Sequence, residues 1–228
     1  MYVFRRGEGI PLVLLHGVGG DHRVWYPLVR SLPRGFRVLA PDLPGHGKSG
    51  GRAMGSVMGY AGAVIEELKG ESEGGILVGL SMGGGVAIGT YLLSPQSFRG
   101  LVLVSSAFRL PIIAHDVGRE RMCSKIYLSQ RLRKMCVKDL RRVPDEVLRL
   151  DRKAAAYDLL DKAHGVKVPV LFVHGSMDVL VSRDLLMESV RRVKRPSLIS
   201  LPSSHMLPVE SPKALTRALL WWVSLLRL

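Results

Sequence analysis

The sequence predicts one α/β domain on a doubly wound, mostly parallel sheet of about seven strands, with a small helical insertion. Three observations carry this expectation. Short apolar runs at 11–15, 36–40, 76–78, 101–104, 168–173 and 197–201 recur at intervals that leave room for a helix between them. The runs are continuous rather than alternating, which suits strands covered on both faces, hence a parallel sheet. The stretch 108–165 holds no such run and carries charged, leucine-spaced sequence instead.

Taken in order, a short strand at 2–4 is expected to pair with the run at 11–15 across Gly7 and Gly9. The later runs are mostly β-branched or leucine and are bounded by Gly, Pro, Asp or Ser. Helices are expected at 24–32, 57–69, 82–93, 182–193 and 212–226, the last burying an apolar face around Trp221-Trp222. Within the insertion, leucine spacing at 137–150 and 150–163 reads as helical, and Pro144-Asp145-Glu146 marks a helix start. This gives a core of 1–107 and 166–228 and a helical cap of 108–165.

At 228 residues the chain is long enough for one full core and short for two. No run of about twenty apolar residues appears, and the first residues lack a long apolar segment, so a soluble cytoplasmic protein without membrane insertion is expected. The net charge of +14 raises the question of nucleic acid. Its Arg and Lys are scattered, as in Arg131, Arg133, Lys134, Lys138, Arg141 and Arg142, with no basic block interleaved with aromatics. A solvated surface is therefore expected and a nucleic-acid partner is not. The insertion holds 14 Lys and Arg against 8 Asp and Glu, which is basic but ordinary for this chain. The sequence has no Asn and only Gln96 and Gln130, a composition that fits heat adaptation or an arginine-favouring genome. Two cysteines, Cys123 and Cys136, exclude a disulfide scaffold; free buried thiols are expected, a bridge being the alternative that matters most in a hyperthermophile. No zinc-type Cys/His spacing and no His-x-x-x-His occurs, so neither metal nor cofactor is expected. The sequence leaves oligomeric state open.

Functional groups of an open α/β sheet gather beyond the carboxyl ends of its strands. After the run at 76–78 comes Gly79-Leu80-Ser81-Met82-Gly83, a G-x-S-x-G pentapeptide between strand and helix. A sharp turn there strains the serine backbone, and glycines two before and two after remove collisions with neighbouring elements. The hydroxyl then stands at a helix N-terminus, where negative charge is favoured. After the other runs come His16-Gly17-Val18-Gly19-Gly20, Asp42 to Ser49, His174-Gly175-Ser176-Met177-Asp178, and Ser204-His205-Met206.

With these five ordered motifs the chain resembles the α/β-hydrolase family over nearly its whole length. The resemblance implies Ser81 as nucleophile, His205 as general base and acid, and Asp178 as the carboxylate that orients the imidazole. It implies an oxyanion hole from the backbone N–H groups of Val18 and Met82. Gly17, Met177 and Met206 are expected to line the substrate site; Met82 shares that setting. His16 and His174 are expected to brace their loops, Asp42 and His46 to stabilise a turn as a pair, and Asp158 and Asp184 to sit on helix surfaces. His22, His115 and His164 have no motif context. The expected function is hydrolysis of carboxylic esters of short to medium acyl chain through an acyl-enzyme. A small-molecule ester is the expected partner. The alternatives are a carboxylate-bearing or carrier-linked ester met by Arg109, Arg119 and Arg121, a carbon–carbon bond, or a ligand-binding protein on the same fold. Serine at the elbow argues against the aspartate chemistry of haloalkane dehalogenases and epoxide hydrolases. A short cap implies a partly open acyl site.

Overall fold

A computed structural model describes residues 1–111 and 118–226. Its strands are β1 (Val3–Arg6), β2 (Gly9–Leu15), β3 (Gly35–Pro41), β4 (Gly75–Leu80), β5 (Phe98–Val104), β6 (Val170–Gly175) and β7 (Pro196–Leu201). They form one seven-stranded sheet in the order β1-β3-β2-β4-β5-β6-β7, parallel throughout except for β1. The chain leaves β2 for β3 on one side and then returns to place β4 on the other. The switch of direction therefore lies between β2 and β4, where such sheets open a crevice beyond the strand ends.

The first strand corrects the sequence reading. β1 pairs antiparallel with β3, Val3 opposite Pro41 and Arg6 opposite Val38, and not with β2. Gly7 and Gly9, with φ of +76° and +109°, lead the chain across the start of β3, where a Cβ would stand 2.5 Å from Phe36 O and 2.2 Å from Gly35 O. Only glycine passes that close to backbone.

The helices are α1 (Tyr26–Ser31), α2 (Val57–Glu67), α3 (Met82–Leu93), α4 (Arg119–Ile126), α5 (Gln130–Leu140), α6 (Asp145–Ala155), α7 (Arg183–Arg192), α8 (Leu207–Glu210) and α9 (Pro212–Leu225). Alternate strand residues feed two cores. Val13, Leu15, Leu77 and Leu103 pack with Tyr60 of α2 and Val86 of α3. Leu12, Leu14, Ile76 and Val78 pack with Leu28 of α1 and Trp222 of α9. Burial on both faces is what the continuous apolar runs require. Trp222 is buried and Trp221 is half exposed, as the apolar face of a last helix predicts.

Between β5 and β6 the chain makes its excursion through α4, α5 and α6. Met122, Cys123, Leu140 and Leu148 form a small core of their own there. The expectation of free thiols is corrected: Cys123 and Cys136 are bridged. Helices α4 and α5 pack directly on each other and bring the two Cα atoms to 5.8 Å, within the reach of a disulfide. Among the described residues no helix is long and apolar enough to cross a membrane.

Candidate active site

Ser81 joins β4 to α3 with φ +54° and ψ −121°, a backbone conformation that costs a non-glycine residue of order 1–3 kcal/mol. The surroundings hold it there. Its N–H donates to Val104 O at 3.0 Å, and its carbonyl accepts from Ser106 Oγ and from Gly84 N–H, each at 2.8 Å. A Cβ on Gly79 would lie 2.2 Å from Gly83 O, and one on Gly83 would lie 2.3 Å from Leu15 O. Both glycines of the pentapeptide are thus required by backbone contacts. Met82 opens α3, so its N–H belongs to the first turn, which lacks intrahelical acceptors.

Asp178 and His205 stand in the loops after β6 and β7, both buried. His205 Nδ1 lies 2.9 Å from Asp178 Oδ2, while Leu180 and Val181 N–H donate to Oδ1 at 2.8 and 3.1 Å. Burial raises the Asp178 pKa, but the His205 hydrogen bond and charge and the two backbone donors outweigh it and hold the group below its ordinary range. An ionised carboxylate can only accept, so Nδ1 carries the proton and Nε2 is the basic nitrogen. The two loops are locked together, since a Cβ on Gly175 would lie 2.2 Å from Ser204 O.

The loop after β2 lies against the elbow: a Cβ on Gly17 would be 3.2 Å from Leu80 O and 3.4 Å from Ser81 Cβ. His16 braces this loop as expected. Its Nε2 accepts from Leu43 N–H at 3.0 Å, so Nδ1 carries the proton and donates to Gly17 O at 2.9 Å. Burial, then the nearby His46 charge, push its pKa down to about 4, which keeps it neutral. His174 likewise braces, bonding Val181 O at 2.9 Å through Nε2.

Ser81 and His205 line one cavity of about 580 Å³, together with Gly17, Val18 and Met206. The excursion contributes Met122, Ile126, Leu132, Met135, Leu140 and Val143, so its walls are largely apolar. Met82 is fully buried and off the wall. Met177 is also off it: its N–H is tied to Ser203 O at 3.0 Å and its side chain is exposed, because the tight turn after β6 aims Asp178 inward instead. Arg109, Arg119 and Arg121 stand outside the cavity too. Arg109 is drawn to Glu188 and Asp158, and Arg119 to Asp145 and the carbonyls of Leu140 and Val143. The excursion's cations on the wall are Lys125 and Arg142, the latter 3.9 Å from Asp139.

Asp42 and His46 do not pair with each other. Asp42 holds His22, accepting from its backbone N–H and ring Nδ1 at 2.7 Å, and takes Lys48 N–H at 2.8 Å. His46 Nε2 instead meets Asp151 Oδ2 at 2.7 Å. Asp151, on α6, is fully buried and also accepts from Gly19 N–H at 2.7 Å and Tyr60 Oη–H at 2.6 Å. Sequence reasoning passed over Asp151, although a signal existed. Val147, Leu148, Ala154 and Ala155 form the buried stripe of α6, and Asp151 sits in the middle of it. Asp158, Asp184 and His164 are exposed, and His115 lies outside the described residues. Among the described residues, Asp21, His22 and Asp42 are the one cluster with metal-ligand spacing, and the His22 ring is already committed to Asp42 and Tyr26.

A parallel sheet with a serine on a strained strand-to-helix turn and an Asp–His pair at later strand ends defines a hydrolase scaffold. The chain belongs to the alpha/beta hydrolase family, whose model matches residues 12–218. It is 29% identical over 122 residues to (E)-2-((N-methylformamido)methylene)succinate hydrolase of Acinetobacter baylyi, covering 53% of this chain and 46% of the relative. It is 37% identical over 106 residues to pimeloyl-[acyl-carrier protein] methyl ester esterase of Nitrosomonas europaea, covering 46% of this chain and 41% of the relative. These matches thus span less than half the length of either relative. Among solved structures, the enol-lactonase of Burkholderia xenovorans LB400 superposes with a TM-score of 0.87 at 20% identity, covering 98% of this chain and 96% of that one, a likeness of fold.

Proposed function

We propose that this hydrolase cleaves carboxylic esters of short to medium acyl chain through a covalent acyl-enzyme. The observation that carries the reading is that Ser81, on its strained elbow, and His205, hydrogen-bonded to Asp178, line the same apolar-walled cavity. His205 Nε2 takes the Ser81 proton as Oγ attacks the ester carbonyl, and the imidazolium then protonates the departing alkoxide. Water, deprotonated by the same nitrogen, attacks the acyl-enzyme, and the imidazolium returns the proton to Ser81 Oγ as the acid departs. The N–H groups of Val18 and Met82 receive the oxyanion; one such donor is worth about 2.7–4 kcal/mol of barrier. In this reading residues 108–165 act as a cap over a core of 1–107 and 166–228, and the apolar wall they supply selects aliphatic acyl groups. The absence of Asn, together with a bridge across a short loop, supports a heat-adapted protein of a cytoplasm that tolerates disulfides.

Hydrolysis of p-nitrophenyl esters of increasing acyl length, by the native chain and Ser81→Ala, tests the reading. Activity with a length optimum that is lost in the variant is expected; undiminished activity of the variant would refute it. Lys125 on the cavity wall favours a second reading, an ester whose far end bears a carboxylate. That reading expects steep inhibition by salt, because Lys125 is exposed and screening weakens an exposed ion pair. A non-catalytic binder would leave Ser81 unlabelled by a phosphonate.

A further inference from the structure

We propose that Asp151 of α6 is a positioning residue that fixes, from the cap side, the loop bearing the oxyanion donor Val18 N–H. The proposal rests on the reading of Ser81 as nucleophile. Val18 lies among Gly17, Gly19 and Gly20, residues with the greatest backbone freedom, so a donor carried there needs external restraint. The restraint comes from both sides.

The Val18 N–H shares a rigid peptide plane with the Gly17 carbonyl. That carbonyl accepts from His16 Nδ1 at 2.9 Å and from Gly20 N–H at 3.1 Å, which sets the direction of the plane from the sheet side. The following plane carries the Gly19 N–H, and this N–H donates to Asp151 Oδ2 at 2.7 Å. Residue 18 is therefore suspended between two fixed planes, one held by the core and one by the cap. Gly19 itself has φ +61°, and a Cβ on it would lie 2.8 Å from both Leu140 Cδ2 and Leu148 Cδ2, so the cap rests directly on the loop.

A fully buried carboxylate is tolerated only when its oxygens are well supplied with donors. Asp151 has three: Gly19 N–H, the His46 ring and the Tyr60 hydroxyl. His46 also meets Pro44 O at 3.1 Å through Nδ1, so both ring nitrogens face acceptors and the ring is held as an imidazolium. Burial opposes that charge, but the Asp151 hydrogen bond and charge outweigh it and raise the His46 pKa. The His46 ring lies 4.9 Å from that of His16 and discourages its protonation, which keeps Nε2 free to accept from Leu43 N–H and so holds the ring whose Nδ1 bonds Gly17 O. The carboxylate thus acts on one peptide plane directly and on the other through two histidines.

The test compares Asp151→Ala, Asp151→Asn and Tyr60→Phe with the native chain. The readouts are kcat and KM on a p-nitrophenyl ester, the rate of Ser81 phosphonylation by an uncharged aryl phosphonate followed by intact mass, and the thermal melt. For Asp151→Ala a fall in kcat of about 10- to 100-fold is expected, with KM within about threefold, since a misplaced donor is lost mainly from the transition state. Phosphonylation should slow in parallel, because the phosphoryl oxygen occupies the same hole. Asp151→Asn keeps an acceptor for Gly19 and should recover most of the loss. Tyr60→Phe leaves the Gly19 contact in place and should lower the melt while keeping kcat within about twofold. A folded Asp151→Ala with native kcat and native labelling rate would overturn the inference alone. A native chain that is not labelled at Ser81 would overturn the nucleophile reading and the inference with it. Should Asp151→Ala fail to fold, Asp151→Leu, which fills the same volume without an acceptor, decides: slower labelling than Asp151→Asn at equal folded fraction supports the inference, and equal labelling overturns it.

Discussion

His205 and Asp178 are joined by a 2.9 Å bond from ring Nδ1 to one carboxylate oxygen, while the N–H groups of Leu180 and Val181 occupy the other. The carboxylate is therefore fixed before it fixes the imidazole. Asp178→Asn would preserve the packing but present an NH₂ group to one of these donors or to His205. The wrong tautomer at His205 should lower kcat on an ester substrate by on the order of 10³- to 10⁴-fold with an unchanged far-ultraviolet spectrum. Loss of less than about tenfold would remove Asp178 from the proposed mechanism.

Two neighbouring histidines make stability depend on pH with opposite signs. His16 is held near pKa 4 in the fold against 6.5 in the open chain, so the unfolded state binds more protons between those values. Its contribution is full above pH 6.5 and is lost as pH falls toward 4. The His46 pKa is raised, so its contribution is full below 6.5 and is lost as pH rises through the folded value. The unfolding free energy should therefore pass through a maximum near pH 6.5. Urea titrations across pH 4–9 check this, and His16→Asn should flatten the acid limb only.

The sequence carried the strand runs, the elbow and the three strand-end residues because each is local: a run of apolar residues, two glycines around a serine, an acid or imidazole just past a strand. Pairing partners were less legible. Nearness in sequence predicts β1 on β2, yet the two glycines carry the chain past β3 first. The place of Met177 beside Asp178 predicts a cavity residue, but adjacent residues of a tight turn point in different directions, and it faces solvent. Asp151 is legible only as an acid on the apolar stripe of its helix, and its role is not. Its partners Gly19, His46 and Tyr60 are 91 to 132 residues away, and nothing in its own helix names them.

The Cys123–Cys136 bridge closes a short loop, with a sequence separation of 13, across α4 and α5. A loop of this size is worth about 3 kcal/mol in the chain-entropy account. Reduction by a dithiol, or Cys123→Ser with Cys136→Ser, should lower stability by about 2–4 kcal/mol in chemical denaturation. Because Cys136 also lines the cavity, KM for the longest accepted ester should rise on reduction. Identical KM values in the oxidised and reduced protein would separate the bridge from substrate binding.

Glycine positions divide sharply by what a methyl group would meet. Gly83→Ala would set a Cβ 2.3 Å from Leu15 O, on the backbone of a central strand that cannot yield. A loss of more than about 3 kcal/mol, or failure to fold, is expected. Gly62→Ala, within α2, meets nothing within 4 Å and should add about 0.4–1 kcal/mol by restricting the unfolded chain. Calorimetry on both variants checks the contrast.

The contact of Asp151 with Gly19, His46 and Tyr60 bears on how far this protein could be rebuilt from exchangeable parts. A helical excursion between two strands invites replacement as a module, with specificity expected to travel with it. Here the excursion is also a keystone. A chimera that replaced 119–155 with unrelated helices would strand three donors at once and release the Val18 loop, even with every residue of the sheet retained. On the proposed reading, specificity and catalytic competence are inherited together, and a transplanted roof would have to bring its own buried carboxylate at this position.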